Sequence, residues 1–214
     1  EQMSKDNTVF AAAEVLAGDK LLEDQEDSSL HDPHVWFDIE LWKNVVDGIG
    51  DTLVEEYPEH KEEFEKNEKA FLAELDALAT FAKERVAEVP EEQRILVTAH
   101  DAFNYFGDSL GFEVRGLQGL STESEYGVKD VEDMVKYLVD NNIKAIFVES
   151  SVSDKAMTAV IEGAKEKGHD VVIGGELYSD AMGAEGTEEG TYIGMYKYNI
   201  NSIVPYIGDK AKYF

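Results

Sequence analysis

The chain has no cysteine, only 4 prolines and few positive charges, with 19 Lys and Arg against 46 Asp and Glu for a formal net charge of -27 over 214 residues. Each shortage excludes something. Without cysteine there are no disulfides and no thiolate metal sites. The negative balance argues against nucleic acid and anionic membrane surfaces as partners and makes cations the better expectation. Most of that charge nevertheless reads as a solubility device on a secreted or salt-adapted surface. No apolar run approaches the length needed to span a bilayer, and no signal peptide is visible. What is present is 43% hydrophobic residues, enough to bury a core as one large domain or two small lobes.

The most informative stretch is RILVTAHDAFNYF, residues 94 to 106. Ile95, Leu96 and Val97 form an apolar run suited to a strand buried on both faces, and the residues after it lead into an amphipathic helix. His100 therefore falls at the carboxyl end of a strand, the edge where open parallel sheets bind ligands. Strand-like runs at 94 to 99, 112 to 117, 144 to 149 and 169 to 174 alternate with helical segments near 101 to 110, 128 to 141 and 154 to 167. This alternation predicts an α/β fold with a parallel sheet flanked by helices. Val128, Val131, Val135 and Leu138 are the expected buried stripe of the second of those helices. A last helix is expected from about Gly190 to Tyr206, with Met195, Ile200 and Ile203 facing inward.

Residues 59 to 88 read as one long helix, with Phe64, Phe71, Leu75, Leu78, Ala82 and Val86 at helical spacing and Glu62–Lys66 and Glu65–Lys69 as supporting pairs. At ~1.5 Å per residue it spans roughly 45 Å, which suits a strut between two lobes better than a coiled coil. Before it, HDPHVWFDIELW places His31 and His34 around Pro33, which holds them in a defined turn. Asp38 is the expected N-cap of a helix carrying Ile39, Leu41, Val45, Val46 and Ile49. Residues 2 to 17 have weak helical periodicity, and GDKLLEDQEDSS, residues 18 to 29, reads as an exposed acidic loop.

Other polar residues gather at strand ends. Glu149 closes AIFVES, and DVVIGG feeds GELYSDAMGAEGT, a glycine-rich loop presenting Glu176 and Asp180. No phosphate-cradle pattern is present, and the local charge is negative. Glu149 is expected to hydrogen-bond loop backbone. For Asp180 a helix cap or Asx-turn competes with a ligand role. Two imidazoles and a carboxylate from separate elements suit zinc, with the carboxylate broadening the range toward manganese or iron, although no HExxH-type local motif joins them.

HDPHVWFD, LVTAHDAFNYFGDSLGFEVRGLQGLSTESE, IFVESS and GGELYSDAMGAEGTEEGTYIGMYKYN resemble stretches of the zinc/manganese solute-binding proteins of bacterial ABC importers, the TroA-like group. The resemblance covers most of residues 31 to 204. It implies two α/β lobes joined by a long rigid helix, with one metal ion between them. By position it implies His34, His100 and Asp180 as metal ligands, with Glu149 and Glu176 nearby in the cleft and no catalytic residues. His at position 100 resembles zinc-type or mixed members, strictly manganese-type members tending to carry Glu there. The acidic rather than histidine-rich stretch from Gly18 to Ser29 leans toward manganese or mixed specificity. The group's first ligand falls in a segment that would precede Glu1, so an N-terminally shortened chain with weakened metal binding is expected. His31 is a remote substitute for that ligand. The implied division is 1–57 for the remainder of an N-terminal lobe, 58–89 for the connecting helix and 90–214 for the C-terminal lobe.

The expected function is extracytoplasmic capture of zinc or manganese and its delivery to an ABC importer membrane subunit, with no enzymatic step. The chain would be periplasmic or, at full length, lipid-anchored at the cell surface, and an exposed sheet edge allows a homodimer of the shortened form. A zinc-dependent hydrolase and a surface adhesin on the same fold are the alternatives. Because imidazole must be neutral to bind metal, affinity is expected to fall below about pH 6.

Overall fold

The structure, a computed structural model, describes residues 11–16, 18–24, 30–120 and 126–207. Short 3-10 turns at Ala12–Val15 and Gly18–Lys20 precede the first helix. Residues 2 to 10 of the expected weak helix and 25–29 of the acidic loop lie outside the described residues.

Asp38 caps helix α1 (Ile39–Glu56) as its sequence predicts, accepting the backbone N–H groups of Glu40 and Leu41 at 2.8 and 3.1 Å. Helix α2 (Lys61–Val86), preceded by a 3-10 turn with Pro58 at its start, is the long rod. Its stripe Leu75, Leu78, Ala82 and Val86 is buried inside this chain, packed with α1 and a late helix, so the seam a coiled coil would need is already used. Phe64 and Phe71, nearer the start of the rod, are only half-buried. Among the described residues, Glu65 pairs back to Lys61 at 3.5 Å, in place of the expected Glu62–Lys66 and Glu65–Lys69 pairs.

From residue 95 the chain alternates strictly: β1 (Ile95–His100), α3 (Asn104–Leu110), β2 (Glu113–Gln118), α4 (Val128–Asp140), β3 (Ala145–Glu149), α5 (Lys155–Glu166), β4 (Val172–Leu177) and α6 (Tyr192–Ile203). β1 pairs in parallel with β2, with His100 opposite Gln118, and β3 pairs in parallel with β4. β1 runs beside β3 between the two pairs. The fourth strand begins three residues later than its apolar pattern suggests, because His169 is drawn into the preceding turn: its backbone N–H reaches Ala164 and its ring nitrogen Nε2 bonds the Ile143 carbonyl. Helix α3 starts at Asn104 rather than near 101, since Asp101 turns back to accept the N–H of Gly116. Val128, expected in the buried stripe of α4, is its exposed first residue, and the buried face is Met134, Val135 and Leu138. Ile49 of α1 is likewise partly exposed. Met195, Ile200 and Ile203 of α6 face inward as expected.

Alternation along β1 divides the interior. Leu96 faces a core built from α1, α2, α3 and α6, whereas Val97 and Ala99 face a second core with α4 and α5. The first core contains the aromatic group Phe37, Phe103, Phe106 and Tyr196, with Phe37 and Phe103 stacked at 4.4 Å. Each such ring contributes roughly 1.5–3 kcal/mol by burial. This cluster welds the turn before α1 to the residues just after β1, which fixes where His34 and His100 meet.

Candidate metal centre

His34 sits in a turn that its neighbours make rigid. The N–H of Val35 bonds the Pro33 carbonyl at 2.9 Å, and a 3-10 turn, Val35–Phe37, carries the chain into α1. Tyr192 and Tyr196 donate their hydroxyls to the carbonyls of Trp36 and Phe37. His34 itself is 3% exposed. Its support is Asp32, whose Oδ1 accepts the His34 backbone N–H at 2.9 Å and lies 2.7 Å from Nδ1. An ionised carboxylate only accepts, so Nδ1 donates to Asp32 and Nε2 is the ring nitrogen left facing Asp180.

His100 is the last residue of β1 and is fully buried. Glu149, the last residue of β3, takes the His100 backbone N–H on Oε1 at 2.8 Å and places Oε2 2.6 Å from Nδ1. That second contact has the closeness of an ion pair but misses hydrogen-bond geometry, so both ring nitrogens of His100 and Oε2 of Glu149 are buried without a hydrogen-bond partner. Burial pushes the His100 pKa down, but the contact with Glu149 and the charges of Glu149, Asp180 and Asp101 outweigh it and leave the value raised.

Asp180 follows β4 on a loop pinned immediately before it. Asn199 of α6 brackets Tyr178, accepting its N–H and donating to its carbonyl, and Trp36 Nε1 donates to the Ser179 carbonyl at 3.1 Å. The Ser179 and Ser151 hydroxyls meet at 2.8 Å. Gly183 lets the loop fold back, since a Cβ there would come within 2.7 Å of Glu189.

The structure brings these three side chains together. Asp180 Oδ1 lies 3.3 Å from His34 Nε2 and Oδ2 lies 3.4 Å from His100 Nε2, with the two imidazoles edge to face at 5.5 Å. Among the described residues, His34, His100 and Asp180 form a group whose ligand atoms all lie within 4.8 Å of one another. Two ligands bound to one zinc at ~2.0–2.1 Å are about 3.4 Å apart at a tetrahedral angle, which matches both His–Asp separations. Two buried imidazoles beside the carboxylates of Asp32, Glu149 and Asp180 form a negative spot that a divalent cation would neutralise. The orphaned Nε2 of His100, aimed at Asp180, is the donor such an ion would satisfy.

The other candidates fall outside. His31 is exposed and bridges to Glu23, away from the cluster, and Glu176 is exposed on β4. Glu149, expected to bond loop backbone, instead takes the N–H of a strand residue, His100, and also backs its ring. Asp32, Trp36 and Asn104 escaped the sequence reading. A carboxylate two residues before His34 across a proline was the available signal for the first.

Residues 1–205 match the family ZnuA, "Zinc-uptake complex component A periplasmic". The chain belongs to this family. Among curated ZnuA relatives, the manganese-binding lipoprotein MntA of Bacillus subtilis is 53% identical over 193 residues, 90% of this chain and 63% of that protein. The zinc-binding protein TroA of Treponema pallidum is 44% identical over 173 residues, 81% of this chain and 56% of that protein. The chain thus spans 63% and 56% of the lengths of these two relatives. The solved structure of periplasmic zinc-binding TroA from the same organism superposes with a TM-score of 0.90 at 40% identity, covering 94% of this chain and 72% of that one. That superposition confirms the α/β architecture of the family.

Proposed function

We propose that this ZnuA-family chain captures a divalent transition metal, zinc or manganese, outside the cytoplasm and presents it to the membrane subunit of an ABC importer. His34 and His100 each donate Nε2, and Asp180 donates one or both oxygens. The ion is cargo, released unchanged. The observation that carries this reading is the convergence of three ligand atoms from a pre-helix turn, a strand end and a late loop within 4.8 Å. The relatives, manganese-binding MntA and zinc-binding TroA, support both metals. On the division that the resemblance implies, with the rod over 58–89 between an N-terminal and a C-terminal lobe, the ion would be held where the lobes meet. Family membership in a zinc-uptake component supports transport without catalysis.

Calorimetric titration of zinc and of manganese into the chain, with His100→Ala in parallel, tests the proposal. One ion per chain is expected, with the variant at least about tenfold weaker. Unchanged affinity in the variant rejects the site.

A further inference from the structure

We infer that Asn104 is a positioning residue for His34: its side-chain amide locks the Asp32 carboxylate in the one orientation that presents Nε2 of His34 to the ion. The inference rests on the reading of His34 as a ligand. Asp32 is 1% exposed, so bulk water does not serve its oxygens. Oδ1 is spent on the two His34 donors, the backbone N–H and Nδ1. Oδ2 has Asn104 Nδ2, at 3.0 Å. The amide is itself aimed by a second, longer bond from Nδ2 to the Asp101 carbonyl at 3.3 Å.

With one oxygen pinned by His34 and the other by Asn104, the carboxylate plane has no freedom to turn about its Cβ–Cγ bond. Without Asn104 a buried carboxylate oxygen is left unpaired, and the cheapest relief is rotation toward another donor, which takes Oδ1 off Nδ1. The imidazole then loses the contact that fixes its ring and its tautomer. Asn104 is the first residue of α3, four positions after His100, so one short segment sets both histidines: His100 by the strand and His34 through Asp32. Glu149 needs no such partner because the β1 backbone N–H fixes it.

The test uses the whole chain, with zinc titrations and Co2+ absorption as a reporter of ligand geometry. Asn104→Leu keeps the volume and removes the donor; it is expected to bind zinc about 10-fold or more weakly and to shift the Co2+ visible bands. Asn104→Gln retains an amide at this half-buried position and is expected to recover most of the affinity and the wild-type spectrum. The inference is overturned if Asn104→Leu binds within twofold of wild type, or if it weakens binding while the Co2+ bands stay unchanged, which marks a loss of folded protein only. A folded Asn104→Gln as weak as Asn104→Leu overturns it too. His34→Ala separates the layers: if it binds zinc as wild type does, the ligand reading goes and the inference with it. If His34→Ala loses at least tenfold and Asn104→Leu loses nothing, the positioning role alone is wrong.

Discussion

His34 and His100 approach the same carboxylate from different kinds of backbone. His34 lies on a non-repetitive turn, and its rigidity is borrowed from side chains: Asp32 beneath it, Asn104 behind Asp32, and Tyr105, which donates its hydroxyl to the Asp32 carbonyl and accepts the Leu22 N–H. His100 ends a strand whose ladder already fixes its backbone, and one residue, Glu149, meets both its N–H and its ring. The loop histidine is thus held by a network of partners, whereas the strand-end histidine is held by one. The two supports should respond differently when disturbed.

The largest effects belong to the three side chains proposed to hold the ion. His34→Ala, His100→Ala and Asp180→Ala should each weaken zinc more than the 10–100-fold typical of losing a supporting carboxylate. Calorimetry on the three variants checks this, and a ligand variant that binds better than its own support variant breaks the hierarchy. Next come the supports. Asp32→Asn sets two amide groups against each other where Asn104 now donates, so it should cost about 1–3 kcal/mol of apo stability besides affinity. That corresponds to roughly 2–4 °C in Tm per kcal/mol for a chain of this size. Glu149→Gln keeps an acceptor for the His100 N–H and removes a buried charge whose Oε2 has no hydrogen bond, so it should weaken zinc comparably but destabilise the apo protein less. The opposite order of apo melting temperatures would contradict the contrast between the two supports.

A third perturbation enters from the strand side. A Cβ on Gly116 would lie 2.5 Å from Asp101 Oδ1 and 2.6 Å from the Asp101 nitrogen and the His100 carbonyl carbon, so the backbone carrying His100 must move. Gly116→Ala should cost about 1–3 kcal/mol and reduce zinc affinity. The His34 turn is reached only through the Asp101 carbonyl and Asn104, so the NMR signal of its Nδ1 proton in the apo protein should move less than the His100 signals. If that signal moves while the His100 signals stay, the strand has not been the route.

This contrast also explains what was legible beforehand. His100 was readable because its support is periodic: an apolar run buried on both faces ends at that residue, and parallel sheets place such ends at a crevice. Asp38 as a cap, the long rod and the order of strands and helices were readable for the same reason, being set by local pattern. Asp32 and Asn104 were not, because they are 72 positions apart and meet only through tertiary packing. Trp36 was not either, since its bond to Ser179, 143 positions away, has no local signature. The late start of β4 was missed since His169 looks like any polar residue at a strand mouth until its ring is seen bonded to Ile143. Val128 fits the period of α4 but stands on the first turn, where nothing packs over it.

The smallest expected effect is in pH, and its sign separates the two forms of the protein. The His100 pKa is raised, so in the apo protein its protonated form is favoured by folding. That contribution is fully present below the unfolded histidine value near 6.5 and is lost as pH rises through the higher folded value. Metal binding runs the other way, since the ion displaces the proton and its stabilisation grows as pH rises through the same raised value. Thermal melts with and without zinc between about pH 5.5 and 8.5 should therefore diverge with increasing pH, the apo curve losing stability where the zinc-bound curve gains it. Glu149→Gln removes the strongest of the influences that raise the pKa and leaves burial, which lowers it, in command, so the apo slope should shrink or reverse. Asp32→Asn leaves Glu149 in place and should preserve that slope. An apo slope lost in Asp32→Asn and kept in Glu149→Gln would break the assignment of that slope to the strand histidine and to its contact with Glu149.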